Sequence, residues 1–324
     1  MISLVLRRLA HSVLLLLGVS ILSFALTELA PGNFFDEMRL SPQISPETVA
    51  ALRARYGIDR PASERYLRWL ESVATGELGY SFAYGQPVGP LLRDRALHTL
   101  ALASVATLAA WLLAIPLGVG FAVARGRWPD RLGSALTATL LATPELVIAL
   151  LLLSLAVRSG WLPTGGMTSS GYADLGAWEK AKDLALHAVA PVAALVLGIL
   201  PALVRHVRAG MIDALAAPFM RAGRAHGIPR RRLVFGYALR AAANPLVSLL
   251  GFSIGSLLSM SMLVEVVMGW PGLGPLLLEA ILARDLYLVL GPVMASTLLL
   301  LAGNCLADLL LYAADPRIRR EAAA

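Results

Sequence analysis

Six stretches of this chain are apolar almost without interruption: Leu9–Leu29, Leu97–Val123, Leu132–Val157, Leu186–Val204, Pro245–Val267 and Tyr287–Tyr312. Each is close to the ~20 residues that carry a helix across a bilayer. None alternates apolar with polar residues, which excludes an outer-membrane barrel. The pattern predicts an all-α integral membrane fold of six transmembrane helices, one membrane domain over residues 1–324. Arg7 and Arg8 precede the first run, as in a secretory signal. That run is too long for a signal core, however, and Glu28-Leu29-Ala30-Pro31-Gly32 offers no small-x-small cleavage site. It reads as an uncleaved first helix.

Two of the intervening segments carry organisation of their own. Residues 32–96 hold turn signals at Gly57, Pro61, Gly76 and Gly79 around a helical stretch with Leu67, Trp69 and Leu70, so short helices are expected there. Residues 205–243 contain a second pattern. Pro218 suits the first position of a helix, and Gly227 suits the left-handed residue that closes one. Pro229 then redirects the chain. A short helix is expected over Pro218–His226, through Phe219, Arg221, Ala222, Gly223, Arg224 and Ala225. Such a helix has little stability alone. It either rests on anionic lipid or docks into a partner.

Composition agrees with a membrane protein. Only 15% of residues are charged, 57% are apolar, and the mean hydropathy is +0.70. The formal charge is +7, and its distribution gives an orientation. With the N-terminus inside, 16 of the 28 Lys and Arg fall on inner segments and 4 on the two short outer loops. Both termini are therefore expected in the cytoplasm. The basic excess is explained by that rule, and no nucleic-acid partner is expected. One cysteine, Cys305, excludes an internal disulfide or a thiolate metal cluster.

Few groups carry candidate chemistry. The five histidines show no metal spacing, no Gly-x-Ser-x-Gly elbow occurs, and the phosphate-binding Gly-x4-Gly-Lys-Ser/Thr loop is missing. Neither catalysis nor a bound cofactor or metal is expected of this chain. Glu145 and Glu265 lie at membrane depth, where ionisable groups are functional candidates. Glu145 follows Pro144, which breaks the third run; it either lines a path or makes an interhelical hydrogen bond. Glu265 ends the fifth run beside Trp270, an interface residue, and Pro271, Gly272 and Gly274, which suit tight turns.

Several motifs in this order resemble one family. They begin with Tyr56-Gly57-Ile58-Asp59-Arg60-Pro61, Gly76-Glu77-Leu78-Gly79-Tyr80-Ser81 and Leu162-Pro163-Thr164-Gly165-Gly166. Arg208-Ala209-Gly210-Met211 and Phe219 through Gly227 follow, then Tyr237-Ala238-Leu239-Arg240. Glu265 through Gly274 and the tail Asp315-Pro316-Arg317-Ile318-Arg319 complete the set. The chain resembles the permease subunits of ABC importers, in the dipeptide, oligopeptide and nickel branch. It departs from that pattern where Arg221 replaces an acid, Gly223 an alanine and His226 a lysine. Gly223 is expected to loosen the short helix by up to ~1 kcal/mol.

The resemblance implies a type I importer permease fold. It implies that the short helix couples to a cytoplasmic ATPase, and that residues around Glu265, Trp270, Pro271, Gly272 and Gly274 form an outer gate. The implied partners are a second homologous permease, two ATPase subunits that bind the ATP and Mg, an external substrate-binding protein and membrane lipid. Dipeptides or oligopeptides are the implied cargo. Nickel, glutathione or another small solute in the same type of complex, and a standalone secondary transporter, remain open at this point.

Overall fold

The computed structural model describes residues 2–39 and 44–314. The tail motif Asp315–Arg319 lies outside them. The elements, in order, are α1 (Ile2–Leu29), α2 (Phe34–Met38), α3 (Pro46–Tyr56), α4 (Ala62–Ala74), β1 (Tyr80–Ser81), β2 (Gln86–Pro87) and α5 (Val88–Val123). Then come α6 (Trp128–Ala142), α7 (Glu145–Ser159), a 3₁₀ turn at Tyr172–Asp174, α8 (Ala177–Ala216), α9 (Pro218–Ala225) and α10 (Arg230–Arg232). A π-helical turn, Leu233–Ala238, leads into α11 (Leu239–Met268), followed by α12 (Leu273–Leu282) and α13 (Leu286–Ala314).

Among the described residues, five helices are long and apolar enough to cross a bilayer, and a sixth span results if α6 and α7 are taken as one. The expected third span is thus two helices of 15 residues, bent by 100° at Thr143-Pro144. Proline explains the break. It has no N–H to continue the α6 ladder, and its ring pushes Thr143 out of the helical region to φ −92°, ψ 122°.

The chain forms two compact units. One comprises residues 100–270 with the end of α13 from Leu299. Its centre is α8, 40 residues long, which packs against α6, α7 and α11. Close approach is possible because α5 presents Ala106, Ala110, Ala114 and Gly118, all buried, at every fourth position. Small residues at helical spacing let backbones come together where lipid supplies no hydrophobic drive. At Gly118 the backbone is within contact of Val207 on α8; a Cβ there would lie 2.6 Å from Val207 Cβ. Trp111 Nε1 donates to Ser253 Oγ at 2.9 Å, joining α5 to α11.

The other unit holds residues 2–99 and 271–298. Here α4 lies on α1: Trp69 packs with Phe24 and Leu290, and the Tyr66 and Ser20 hydroxyls are 2.9 Å apart. Local signals account for α3. Ser45 caps its start through the Thr48 N–H, Pro46 takes the first position, and Gly57 closes it at φ +66°. The expected short helices are therefore present, together with a hairpin, Tyr80–Ser81 against Gln86–Pro87, that periodicity did not reveal.

Asp285 organises this unit. It is fully buried, and one carboxylate oxygen, Oδ2, accepts from Ser81 Oγ (2.8 Å), Phe82 N (2.7 Å) and Ala83 N (3.0 Å). Its Oδ1 caps α13 through the Leu288 N–H at 3.3 Å. The hairpin is further held to α12 by the Tyr84 hydroxyl, which donates to Glu279. Burial, with help from the Glu279 carboxylate, raises the Tyr84 phenol above its ordinary pKa, so it stays a donor.

Candidate functional site

The segment between α8 and α11 is built as its sequence suggested, with one displacement. The α8 helix runs to Ala216, so the first dozen residues of the 205–243 segment are helix rather than loop. Ala217 at ψ 151° turns the chain, and Pro218 starts α9. The end of α9 is a Schellman closure: Gly227 N donates to Arg224 O at 3.0 Å, and Ile228 N to Gly223 O at 3.1 Å. Gly227 takes φ +72°, the left-handed value that glycine alone adopts without cost.

One face of α9 is seated and the other is bare. Met220 is buried in a cluster with Val119, Val207, Met211, Leu233 and Val234. Phe219, Arg221, Ala222, Arg224, Ala225 and His226 are exposed, as are Pro218 and Gly227. Gly223 has a packing reason that outweighs its low helix propensity. A Cβ at this position would lie 2.6 Å from the buried Leu233 Cδ2. The expected loosening is thereby offset by the contact that holds α9 to the π turn. The π turn itself aligns Leu233, Val234 and Ala238 toward the cluster and leaves Phe235 and Tyr237 outside.

The gate candidates divide between the two units. In the first, Glu265 is wholly buried in the last turn of α11 and Trp270 is nearly so. A second Schellman closure ends α11: Gly269 takes φ +63°, and Trp270 N donates to Glu265 O at 2.9 Å. Against it rests the Pro163–Gly166 loop, where Gly166 N donates to Met268 O at 3.1 Å. A Cβ on Gly165 would lie 3.2 Å from that same carbonyl. The glycine this turn requires is thus Gly269 rather than Gly272, whose φ of −103° and ψ of −158° suit other residues.

In the second unit, Pro271, Gly272 and Gly274 lead into the short apolar helix α12, held by α5. His98 Nδ1 donates to Pro271 O at 2.9 Å, and Thr99 Oγ1 accepts from Leu273 N at 2.9 Å.

Glu145 stands apart from both places. It opens α7 directly after the bend and faces Gly198 of α8, where a Cβ would lie 3.9 Å from Glu145 Cβ and 4.0 Å from its Oε2. That same Cβ would overlap the Met260 methyl of α11, so only glycine leaves room for both side chains.

Sequence reasoning missed one pair. Asp130, at the start of α6, is 4% exposed and accepts from Arg208 Nε at 2.6 Å and Nη2 at 2.9 Å. Gly126 N adds a third donor at 2.8 Å. The partners are 78 residues apart, so no spacing rule reveals them.

The comparisons with known proteins follow this geometry. Residues 114–320 match the family described as binding-protein-dependent transport system inner membrane component, and residues 1–103 match its N-terminal family. An oligopeptide transport system permease protein of Bacillus subtilis is 33% identical, over 97% of this chain and 98% of its own. A glutathione transport system permease protein of Salmonella paratyphi A is 33% identical over 98% and 99%. A dipeptide transport system permease protein of Escherichia coli is 32% identical over 99% and 100%. Among solved structures, the inward-facing MetNI methionine ABC transporter matches with a TM-score of 0.57 at 18% identity, over 69% of this chain and 96% of that one. That last likeness concerns fold alone, the type I importer permease. The chain belongs to the inner membrane component family of binding-protein-dependent transport systems and is a permease subunit of an ABC importer.

Proposed function

We propose that this permease forms half of the translocation pathway of an ATP-driven importer of dipeptides or oligopeptides. The other half is a second, homologous permease. An external binding protein delivers the cargo, and two cytoplasmic ATPase subunits hold the ATP and Mg. The observation that supports the cargo is likeness along the full chain to oligopeptide and dipeptide permeases. Glutathione, itself a small peptide, is the alternative that a similar relative favours.

The bare face of α9 supports coupling to an ATPase. A helix of 8 residues, stapled on one side by Met220 and open on the other, offers a rigid knob for a groove. Movement of the ATPases then reaches α8, into whose end α9 is packed. The outer gate is assigned to the end of α11, at Glu265 and Trp270, and the path to Glu145.

Charge and aromatic placement support an orientation with both termini in the cytoplasm. Trp128 stands exposed beside Arg125, Arg127 and Arg131, while Trp161 and Trp178 stand exposed at the opposite ends of α7 and α8. Tryptophan favours both interfaces and the arginines favour the cytoplasm. Single cysteines in a Cys305→Ser background test it. Positions 76 and 166 should react with an impermeant maleimide from outside, and position 231 only after permeabilisation. Outside reaction at 231 overturns the topology.

Cargo is tested in proteoliposomes holding both permeases, the ATPases and the binding protein. Labelled tri- and pentapeptides should accumulate with ATP, with reduced glutathione and Ni²⁺ as competitors. Uptake of glutathione or nickel without peptide uptake overturns the peptide reading.

A further inference from the structure

We propose that Asp130 and Arg208 form a clamp that carries the motion of α8 into α6, and so delivers the ATPase stroke to the bend at Pro144. They are positioning residues, and the proposal rests on the coupling reading of α9.

The geometry supports a rigid joint at this place. The carboxylate of Asp130 meets the guanidinium of Arg208 through two N–H donors, at 2.6 and 2.9 Å. A two-point contact of this kind fixes orientation as well as distance. The acid is also pinned to the α5–α6 turn by the Gly126 N–H at 2.8 Å, in a turn that Gly126 makes possible at φ +77°. Arg208 is anchored from its own side. Its neighbour Val207 is fully buried and seated against Gly118 of α5. On α6, Gly133 lies under the Phe121 ring of α5, where no Cβ has room. The clamp thus joins α6 to α8 where each is also in close contact with α5.

Its place along the chain gives it a use. Arg208 is ten residues before Pro218, about 15 Å along α8, so it lies close behind the seat of α9. Asp130 is at the opposite end of α6 from Thr143-Pro144, about 20 Å away by helical rise. Beyond that bend, α7 begins with Glu145, which faces Gly198 and Met260. From Arg208 toward the bend the α6–α8 surface is open on one side, a cleft of about 680 Å³ lined by Arg208 itself, Ser134, Thr137, Leu141, Ala202 and Arg205. Because of that cleft, apolar packing does not bind α6 to α8 along their whole length. The ion pair supplies the firm contact at the α9 end.

An ion pair with one buried partner need not be retained for stability, since an apolar replacement of equal volume is often as stable. A transmission role predicts something a stabilising role does not: helices that move together only while the pair is intact.

The test uses the assembled importer in proteoliposomes. Asp130→Asn keeps the volume and an acceptor for Gly126 but removes the charge. Arg208→Lys keeps the charge but loses the two-point contact. Uptake per ATP hydrolysed should fall about tenfold in Asp130→Asn and less in Arg208→Lys, with ATPase co-purification unchanged. Spin labels at positions 135 and 209, in a Cys305→Ser background, report the α6–α8 separation. The wild-type separation should stay single through the ATP cycle, and Asp130→Asn should make it broad or nucleotide-dependent. If Asp130→Asn does not assemble, Arg208→Lys carries both measurements.

An unchanged uptake-to-ATP ratio with an unchanged label distance overturns the clamp. So does a wild-type pair of helices that already separate during the cycle. Gly227→Val is run alongside. Normal uptake in that variant overturns the coupling reading and the proposal with it, whereas lost uptake there beside a normal Asp130→Asn overturns the clamp alone.

Discussion

Gly227→Val is expected to abolish uptake while leaving the chain inserted and abundant. Gly227 sits at φ +72°, and a β-branched residue in the left-handed region costs roughly 1–2 kcal/mol. Space is not the obstacle, since nothing lies within 4 Å of the position a Cβ would take. The cost is conformational, and it falls on the two hydrogen bonds of the closure, Gly227 N to Arg224 O and Ile228 N to Gly223 O. Relief comes from unwinding the last turn of an 8-residue helix, which has few other bonds to hold it. The exposed face would then lose its shape, although Met220 remains anchored. Spans are unaffected because their insertion is set by their own apolar length. The measurements are uptake, and ATPase co-purification in mild detergent. Gly227→Ala should show a milder loss. Wild-type uptake and association in Gly227→Val would favour a helix that merely rests on lipid.

Asp285→Ala is expected to unfold the outer part of the second unit. The carboxylate satisfies Ser81 Oγ, Phe82 N, Ala83 N and Leu288 N; Ser81, Leu288 and Asp285 itself are fully buried, whereas Phe82 and Ala83 are partly open to water. Each unsatisfied buried donor costs about 1–3 kcal/mol, and truncating one partner of a buried charged network costs roughly 3–5 kcal/mol in all. For a unit of this size that is on the order of a 10 °C fall in melting temperature. Asp285→Asn keeps the shape and an acceptor oxygen and should cost about half as much. Thermal melts of the purified permease, with proteolysis of the 76–87 region as the local readout, decide it. A melt within about 2 °C of wild type would mean that other groups or water satisfy these donors.

These two residues differ in how far the sequence announced them. Gly227 was legible because helix closure is local: a glycine after a short polar helix and before Ile228-Pro229 has few other uses. Asp285 carries no local signal of its role. Its partners Ser81, Phe82 and Ala83 lie more than 200 residues away, and no periodicity connects them. Gly223 shows the same limit from the other side. Propensity alone made it a weakness in α9, whereas its bare backbone is what admits Leu233.

By itself the sequence determined what depends on length and local geometry. It placed five apolar helices to within a dozen residues at their ends, the start of α9 at Pro218, and the break at Pro144. These follow because a bilayer demands unbroken helices of a set length, and because proline and glycine act on their own backbone. The tertiary structure decided the rest. The bend of 100°, the choice of Gly269 over Gly272 as the left-handed turn, and the pairing of Asp130 with Arg208 each depend on which distant segment arrives opposite. A buried polar group must find its partner wherever the fold brings one, and the chain's linear order does not record where that is.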